Sequence, residues 1–190
     1  MKDSAIDAVR NTDATAPAPA IGDFLDDARV VTDLDVSSRK RLFEQMAKLI
    51  SSRHAGAGEG DGDEVGEDVH DGAHGPDLDT VLHTLNKREK LGCTGIGNGI
   101  ALPHGRIEGL AEPVMAVARL RHPINYDAPD GVPVWLAVCL LVPAEANETH
   151  LRLLAMLAAG FSTPGFPERL KGAASAAELA AHLKAIPSPA

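Results

Sequence analysis

The stretch from Thr94 to Arg106 reads TGIGNGIALPHGR and places one imidazole, His104, between a proline and a glycine. An imidazole with an ordinary pKa of about 6.5 is largely neutral at physiological pH, and its unprotonated ring nitrogen is a nucleophile. Such a group can attack phosphorus, attack a carbonyl carbon with a partner, bind a metal or transfer a proton. The alternative is a histidine that makes only a structural hydrogen bond.

Two further side chains fit a site for an anion. His150 opens the helical pattern ETHLRLLA, and a helix N-terminus offers free N–H groups and a positive dipole. Arg88, in KREKLG, could bind phosphate through two parallel hydrogen bonds. Solvent-exposed helix residues are the plain alternative for both. Cys93 raises a cysteine–histidine pair with His104, although the sequence offers no third group to orient it.

The glycines around this stretch first suggest a nucleotide-binding loop, but their spacing excludes it. The dinucleotide fingerprint needs a third glycine where Ile100 stands, and it follows a strand, whereas a helix precedes this cluster. A phosphate loop ending in Gly-Lys-Ser/Thr is also absent. The glycines can still allow a turn with positive φ and bring backbone N–H groups close to an anion.

The surrounding pattern predicts one α/β domain from about residue 21 to 186. Pro103 cannot donate a ladder hydrogen bond, so a strand over 100–102 should end there and present His104 at its carboxyl edge. A short turn is expected at Pro164 and Pro167. Other strands are predicted at 30–34, 114–120 and 132–142. Helices are predicted from a cap at Ser37 or Ser38 to about Ser51, from Asp77 or Asp79 to just before Gly92, from Asn147 or Thr149, and from Ser175 with Glu178 as a capping box.

The acidic charge is concentrated in one glycine-rich segment. The chain has 190 residues and a net charge of −9, and residues 53–76 hold seven acidic residues against one arginine. We expect this segment to be a flexible insert and residues 1–20 a flexible tail. Metal binding by His54, His70 and His74 is an alternative for the insert, although these residues lack a compact ligand spacing.

The composition also limits partners and location. No basic face indicates nucleic-acid binding, and no apolar run approaches the ~20 residues of a membrane-spanning helix. Only two cysteines occur, and the chain opens MKDSAIDAVR without the apolar core of a secretion signal. A reduced, cytoplasmic setting without membrane insertion is therefore expected.

Three ordered segments together resemble a known family. REKLGCTGIGNGIALPHGR, PINYDAPDGVPVWLAVCLLVP and ETHLRLLAMLA are similar to the enzyme IIA domain of the bacterial phosphotransferase system, of the fructose–mannitol type and its nitrogen-regulatory branch. The resemblance spans about residues 21–183, and the acidic insert interrupts it. It implies a mixed β-sheet flanked by helices on both faces.

The resemblance also implies a chemistry and its residues. His104 would accept a phosphoryl group, expected at Nε2, from a histidine phosphocarrier protein, and its phosphorylation would act mainly in regulation, by changing which target protein the chain binds. The catalytic partners it implies are His150 and Arg88, and the phosphate-binding residues are Thr94, Gly105 and Arg106. No metal or organic cofactor is expected. The alternatives are transfer to an enzyme IIB for sugar uptake, or a protein interaction module that is never phosphorylated.

Overall fold

A computed structural model describes residues 20–52 and 75–187. The predictions for the tail and the acidic insert therefore lie outside the described residues, apart from residues 20, 75 and 76. Two short 3-10 turns, Ile21–Asp23 and Asp27–Arg29, precede the first strand. The elements are β1 (Val30–Leu34), α1 (Arg39–Ser51), α2 (Leu78–Lys90), β2 (Gly95–Gly97), β3 (Ile100–Ala101), β4 (His104–Ile107), β5 (Val114–Ile124), β6 (Val134–Pro143), α3 (Asn147–Ser162), α4 (Phe166–Gly172) and α5 (Ala176–Lys184).

The strands form one mixed sheet in the order β1-β5-β6-β3-β2, with β4 also paired to β6. β1 is parallel to β5, and both β3 and β4 are parallel to β6. β5 runs antiparallel to β6, and β2 antiparallel to β3. The central strand β6 is buried from Val134 to Val142, which explains its nearly continuous apolar sequence.

Each face of the sheet is covered by its own group of helices. Side chains of α1 and α2, such as Phe43 and Leu85, join one apolar cluster with alternate residues of β5 and β6. Side chains of α3, α4 and α5, such as Leu157, Leu170 and Leu183, form the cluster on the other face. The predicted α/β fold, a mixed sheet with helices on both faces, is confirmed.

Side-chain caps explain where several helices begin. Ser38 Oγ accepts a hydrogen bond from Arg41 N at 3.3 Å, and Asp77 Oδ2 accepts one from Thr80 N at 3.1 Å. Ser175 Oγ accepts from Glu178 N at 3.2 Å, so Ser175 caps α5 as predicted, but the predicted capping box is not closed, because Glu178 Oε2 accepts from Ala174 N at 2.7 Å and not from Ser175 N. The expected turn around Pro164 and Pro167 is wrong in part, because α4 begins at Phe166. Proline is tolerated in the first helical turn, where its missing N–H needs no partner.

The strand before His104 behaves differently from the prediction. It stops pairing after Ala101, but the chain returns to β6 with His104 opposite Leu140 and no change of offset along that strand. Pro103 still accepts a hydrogen bond from Leu140 N at 3.0 Å through its carbonyl oxygen. His104 therefore opens β4 rather than following the end of a sheet strand, and Leu102 and Pro103 form a two-residue interruption.

The glycine cluster forms a β-hairpin. β2 and β3 are joined by Asn98 and Gly99, both with positive φ, of 54° and 71°. This two-residue Asn-Gly connection is the type favoured between twisted antiparallel strands. A side chain at Gly99 would also collide with the Trp135 indole. The glycines at 95, 97 and 99 thus shape the hairpin and do not line the cleft described below.

Candidate active site

A cleft of about 410 Å³ opens between the end of α2, the start of β4 and the first turn of α3. The helical contribution comes from positions 84, 87, 88 and 91, which share one face of α2 because they are three, four and seven residues apart. The lining residues are Thr84, Lys87, Arg88, Leu91, His104, Gly105, Arg106 and His150. The fold therefore brings together five of the six predicted site residues.

Both ring nitrogens of His104 have defined partners. Nδ1 lies 2.7 Å from the carbonyl oxygen of Leu102, and Nε2 lies 2.9 Å from Nε of Arg88. A carbonyl oxygen only accepts, so Nδ1 carries the proton and donates it to Leu102. The guanidinium only donates, so the lone pair is on Nε2. His104 is thus oriented as a neutral imidazole with its nucleophilic nitrogen beside Arg88.

The surroundings of His104 favour this neutral form. Burial lowers the pKa of His104 below its usual value, and the nearby positive charge of Arg88 lowers it further. The hydrogen bond to Leu102 and the charge of Glu89 act in the opposite direction without reversing the shift. His104 therefore keeps its Nε2 lone pair through the neutral pH range.

Arg88 is fixed by the end of its own helix. Its Nη1 donates to the Gly92 carbonyl oxygen at 2.9 Å, where α2 has just ended, while its Nε reaches His104. Gly92 directly follows the C-cap residue Leu91, so this bond ties the guanidinium group to the turn that ends α2. Arg88 is thereby presented at the cleft with its side chain already ordered.

Gly105 allows the helix and the strand to approach closely. A Cβ atom at this position would overlap the Cγ2 methyl group of Thr84 on α2, while Leu141 Cδ2 would be at an ordinary contact distance of 3.5 Å. Glycine therefore lets α2 lie against β4 at the separation that joins Arg88 to His104. The structure gives Gly105 this packing role.

His150 faces His104 across the cleft. The ring centroids are 5.4 Å apart, the planes are inclined by 68°, and His150 is only 6% exposed. Burial lowers the pKa of His150 to about 4, assisted by His104, Arg106 and Arg88. His150 is therefore neutral at pH 7.

The two nitrogens of His150 differ in their environment. Nδ1 is buried and has no hydrogen-bond partner among the described residues. A buried N–H without an acceptor is among the rarest arrangements in proteins, so the proton of the neutral ring belongs on Nε2. His150 then offers an N–H donor toward the cleft.

The cleft is cationic although the chain is acidic. Lys87 and Arg106 are exposed beside Arg88, and no carboxylate is among the described residues that line the cleft. Lys87 and Thr84 were missed in the sequence. Their signal was the helical spacing, because Thr84 lies four residues before Arg88 and three before Lys87, which places the three on one face. Positive side chains and N–H donors that converge in this way suit a small dianion.

Thr94 does not line the cleft, contrary to the sequence-based expectation of a phosphate contact. It is 3% exposed, and its hydroxyl group lies 2.5 Å from Glu89 Oε2 and 2.9 Å from the Tyr126 hydroxyl group. The backbone N–H of Thr94 also donates to the Glu89 carboxylate at 3.2 Å. Sequence reasoning missed this buried network, because Glu89 looks like one more charge on a helix surface.

Cys93, the alternative nucleophile, forms its hydrogen bonds with residues other than His104. Its Sγ donates to the Tyr126 carbonyl oxygen at 3.6 Å and accepts from Gly95 N at 3.3 Å. Burial raises the pKa of this thiol, which disfavours the reactive thiolate. The structure therefore gives no support to a cysteine–histidine pair.

Metal binding and membrane insertion can be assessed for the described residues. No cluster of potential metal ligands occurs among residues 20–52 and 75–187. The metal alternative for His54, His70 and His74 lies outside the described residues. Of the helices that the structure describes, none has the length and apolar character to span a bilayer.

Fold and cleft together define an α/β protein with a cationic, two-histidine site suited to an anionic ligand. Its sequence matches, over residues 23–186, the family described as phosphoenolpyruvate-dependent sugar phosphotransferase system, EIIA 2. The chain belongs to this family, as its motifs had indicated.

Individual relatives refine the comparison. A nitrogen regulatory protein of Pseudomonas aeruginosa is 38% identical over 156 residues, 82% of this chain and 89% of that protein. The crystal structure of the nitrogen regulatory protein IIA-Ntr from Neisseria meningitidis superposes with a TM-score of 0.72 at 37% identity, covering 86% of this chain and 98% of that one. A fructose-specific EIIA component of Haloferax volcanii is 36% identical over 99 residues, 52% of this chain and 64% of that protein.

Proposed function

We propose that this chain is a regulatory enzyme IIA of the nitrogen type, in which Nε2 of His104 accepts a phosphoryl group from a histidine phosphocarrier protein. The observation that carries the proposal is the pair of hydrogen bonds on His104. They fix the proton on Nδ1 and leave the lone pair at Nε2, inside a cationic cleft. The names of the most similar relatives favour the nitrogen-regulatory branch.

The transfer step is a displacement at phosphorus between two imidazoles. Nε2 of His104 attacks the phosphorus atom in line, a new N–P bond forms, and the N–P bond to the donor histidine breaks. The electron pair of that bond leaves with the donor ring. His104 keeps its Nδ1 proton throughout, because Leu102 accepts it. The ring therefore needs no separate base.

Arg88 must exchange partners during this step. In the structure its Nε donates to the same lone pair that would attack. An incoming phosphoryl group offers anionic oxygens, which are stronger acceptors than a neutral ring nitrogen. Arg88 would turn its N–H groups to these oxygens and release Nε2, so that binding of the group uncovers the nucleophile.

The remaining side chains would stabilise charge on the transferred group. His150 would donate from Nε2–H, while Arg106 and Lys87 would contribute positive charge from the rim of the cleft. Phosphoryl transfer depends mainly on such positioning and electrostatics. A backbone contact from Gly105 to phosphate remains part of the proposal, and the predicted contact from the Thr94 hydroxyl group is withdrawn.

A protein donor fits the surface around the cleft. Leu91, in the lining, is 81% exposed, and Leu151, next to His150, is 64% exposed. Exposed apolar side chains beside a polar site are typical of a protein contact. A cytoplasmic location belongs to the same proposal, since the phosphocarrier chain operates there.

The test is phosphorylation from phosphoenolpyruvate with the general phosphotransfer enzyme and the phosphocarrier protein. We expect acid-labile phosphate on the wild-type chain and none on His104→Ala. His83→Ala is the matched control, because His83 is an exposed histidine of α2 outside the cleft lining. Absence of label on the wild type, or equal label on His104→Ala, would refute the proposal and favour an interaction module that is never phosphorylated.

Transfer to an enzyme IIB for sugar uptake is the second candidate. It is favoured by the name of the Haloferax volcanii relative, a fructose-specific EIIA component. The phosphorylated chain would be mixed with fructose- and mannitol-type enzymes IIB, and loss of label from His104 followed over time. Fast transfer coupled to sugar uptake would replace the regulatory role, whereas retention of the label would support it.

A further inference from the structure

A continuous series of hydrogen bonds runs behind His104, on the side away from the cleft. His104 Nδ1 donates to the Leu102 carbonyl oxygen at 2.7 Å, and Leu102 N donates to the Thr94 carbonyl oxygen at 2.9 Å. Thr94 in turn binds the Glu89 carboxylate through its backbone N–H and its hydroxyl group. The series thus links the reacting ring to a buried carboxylate on α2.

The direction of the Leu102 backbone groups makes this link possible. Leu140 N on β6 donates to the carbonyl oxygen of the next residue, Pro103, so the backbone groups of Leu102 point to the opposite side, away from β6. Its N–H is free to reach Thr94, and its carbonyl oxygen to accept from His104. One peptide segment therefore transmits the position of Thr94 to the imidazole.

Glu89 is held firmly enough to serve as the anchor. Its side chain is 7% exposed and accepts hydrogen bonds from Thr94, from the Tyr126 hydroxyl group at 3.4 Å and from Arg39 at 3.4 Å. Arg39 also donates to the Tyr126 carbonyl oxygen at 2.9 Å. A buried carboxylate with this many donors is held in one orientation.

We propose that Glu89 and Thr94 are positioning residues for phosphoryl transfer, which hold the Leu102 carbonyl group in place and so keep the His104 proton on Nδ1 and its lone pair on Nε2. This inference rests on the proposed role of His104 as acceptor. Neither side chain touches the phosphoryl group. Both act through the Leu102 peptide.

The consequence of losing the anchor follows from the tautomers of imidazole. If the Leu102 carbonyl group turns away, Nδ1–H loses its acceptor, and the form with the proton on Nε2 gains population. In that form the lone pair lies on Nδ1, away from the cleft, and the ring cannot attack. The Arg88 bond to Nε2 is also lost, because two donors would then face each other.

The test combines a spectroscopic and a kinetic measurement on the full chain. The tautomer of His104 is read from its ring ¹⁵N chemical shifts, and the phosphorylation rate from the relay with phosphoenolpyruvate. We expect the wild type to show mainly the Nδ1–H form. In Glu89→Ala the Nε2–H form should appear, and the rate should fall about 10- to 100-fold, the range for a misplaced reacting group.

Further variants separate positioning from stability. Thr94→Val keeps the shape of the side chain but loses the hydroxyl group, and it tests the series if Glu89→Ala fails to fold. Glu89→Gln keeps an acceptor oxygen, and Thr94→Ser keeps the hydroxyl group. Both variants should therefore retain most of the phosphorylation rate and the wild-type tautomer of His104. Phe161→Leu weakens the core on the opposite face of the sheet and should change neither readout.

The outcomes distinguish this inference from the proposed function. An unchanged His104 tautomer and rate in both Glu89→Ala and Thr94→Val would overturn the positioning role, while phosphorylation of the wild type still stood. A wild type that is never phosphorylated would refute the proposed function. The tautomer would then still show whether Glu89 and Thr94 orient the ring.

Discussion

The contact between Gly105 and Thr84 predicts that a single added methyl group will disturb both stability and phosphorylation. In Gly105→Ala the new Cβ would overlap the Thr84 methyl group, so α2 must move away from β4. Overpacking of this kind costs about 1–3 kcal/mol. The lower entropy of the unfolded alanine chain offsets about 0.4–1 kcal/mol. Because the overlap with the Thr84 methyl group is severe, the overpacking cost lies in the upper half of its range, and we expect a net loss of about 1–2 kcal/mol in the free energy of unfolding.

The partner substitution Thr84→Ser makes this prediction specific. It removes only the overlapping methyl group, and the next atoms around the new Cβ are Leu141 Cδ2 at 3.5 Å and Thr84 Cβ at 3.7 Å. The double variant should thus regain most of the lost stability, with a coupling energy of about 1–2 kcal/mol between the two sites. The same cycle should restore the phosphorylation rate, since the separation of Arg88 from His104 depends on this contact.

Urea unfolding of the wild type, the two single variants and the double variant measures the coupling energy. Initial phosphorylation rates of the same four proteins show whether the geometry of the active site is disturbed and restored. Gly172→Ala is the matched control, because a Cβ at Gly172 meets no atom within 4 Å at the end of α4. We expect this control to be neutral or slightly stabilised. A Gly105→Ala protein as stable and active as the wild type, or a double variant without recovery, would refute the close-approach argument.

Three further predictions concern charge, protonation and helix capping. The pKa of His150 is lowered to about 4 in the folded state, so below pH 6.5 the unfolded chain binds more protons and the folded chain loses stability as the pH is lowered. Between pH 7 and pH 5, urea unfolding should therefore show about 2 kcal/mol less destabilisation in His150→Gln than in the control His83→Gln. Equal pH profiles of the two variants would contradict this. Arg88→Lys keeps the positive charge but loses the two simultaneous hydrogen bonds to His104 and Gly92. The phosphorylation rate should therefore drop about 10- to 100-fold. An unchanged rate would show that Arg88 does not act in the site. Ser38→Ala removes the α1 cap and should cost about 1 kcal/mol in urea unfolding without slowing phosphorylation, whereas an unaffected stability would show that the cap is not needed.

Much of the fold follows from local patterns in the sequence. Capping residues and the apolar run of β6 indicate their elements, because capping and two-sided burial leave clear signals. The sequence left the choice between Ser37 and Ser38 and between Asp77 and Asp79 open, and the structure selects Ser38 and Asp77. Pro167 misled the prediction, since proline ends a helix in its interior but fits its first turn.

Only one site residue was distinctive by itself, because His104 stands between a proline and a glycine. His150 and Arg88 fit exposed helix positions equally well, and the family resemblance assigned them to the site; the structure brings all three into one cleft. Thr94 was assigned to phosphate because it shares their motif. Its hydroxyl group is instead used by Glu89, a contact that depends on how the chain turns after α2. Such burial of a charged helix residue leaves no trace in a pattern of polar and apolar positions.

The central claim is that His104 receives phosphate on Nε2 while Nδ1 stays protonated. The most direct test is to phosphorylate the ¹⁵N-labelled chain with phosphoenolpyruvate, the general phosphotransfer enzyme and the phosphocarrier protein, and to locate the N–P bond from the imidazole ¹⁵N and ³¹P resonances. We predict a single phosphohistidine at His104, bonded through Nε2, with Nδ1–H still donating to Leu102. A bond through Nδ1, a phosphate on another residue, or no phosphohistidine at all would contradict it.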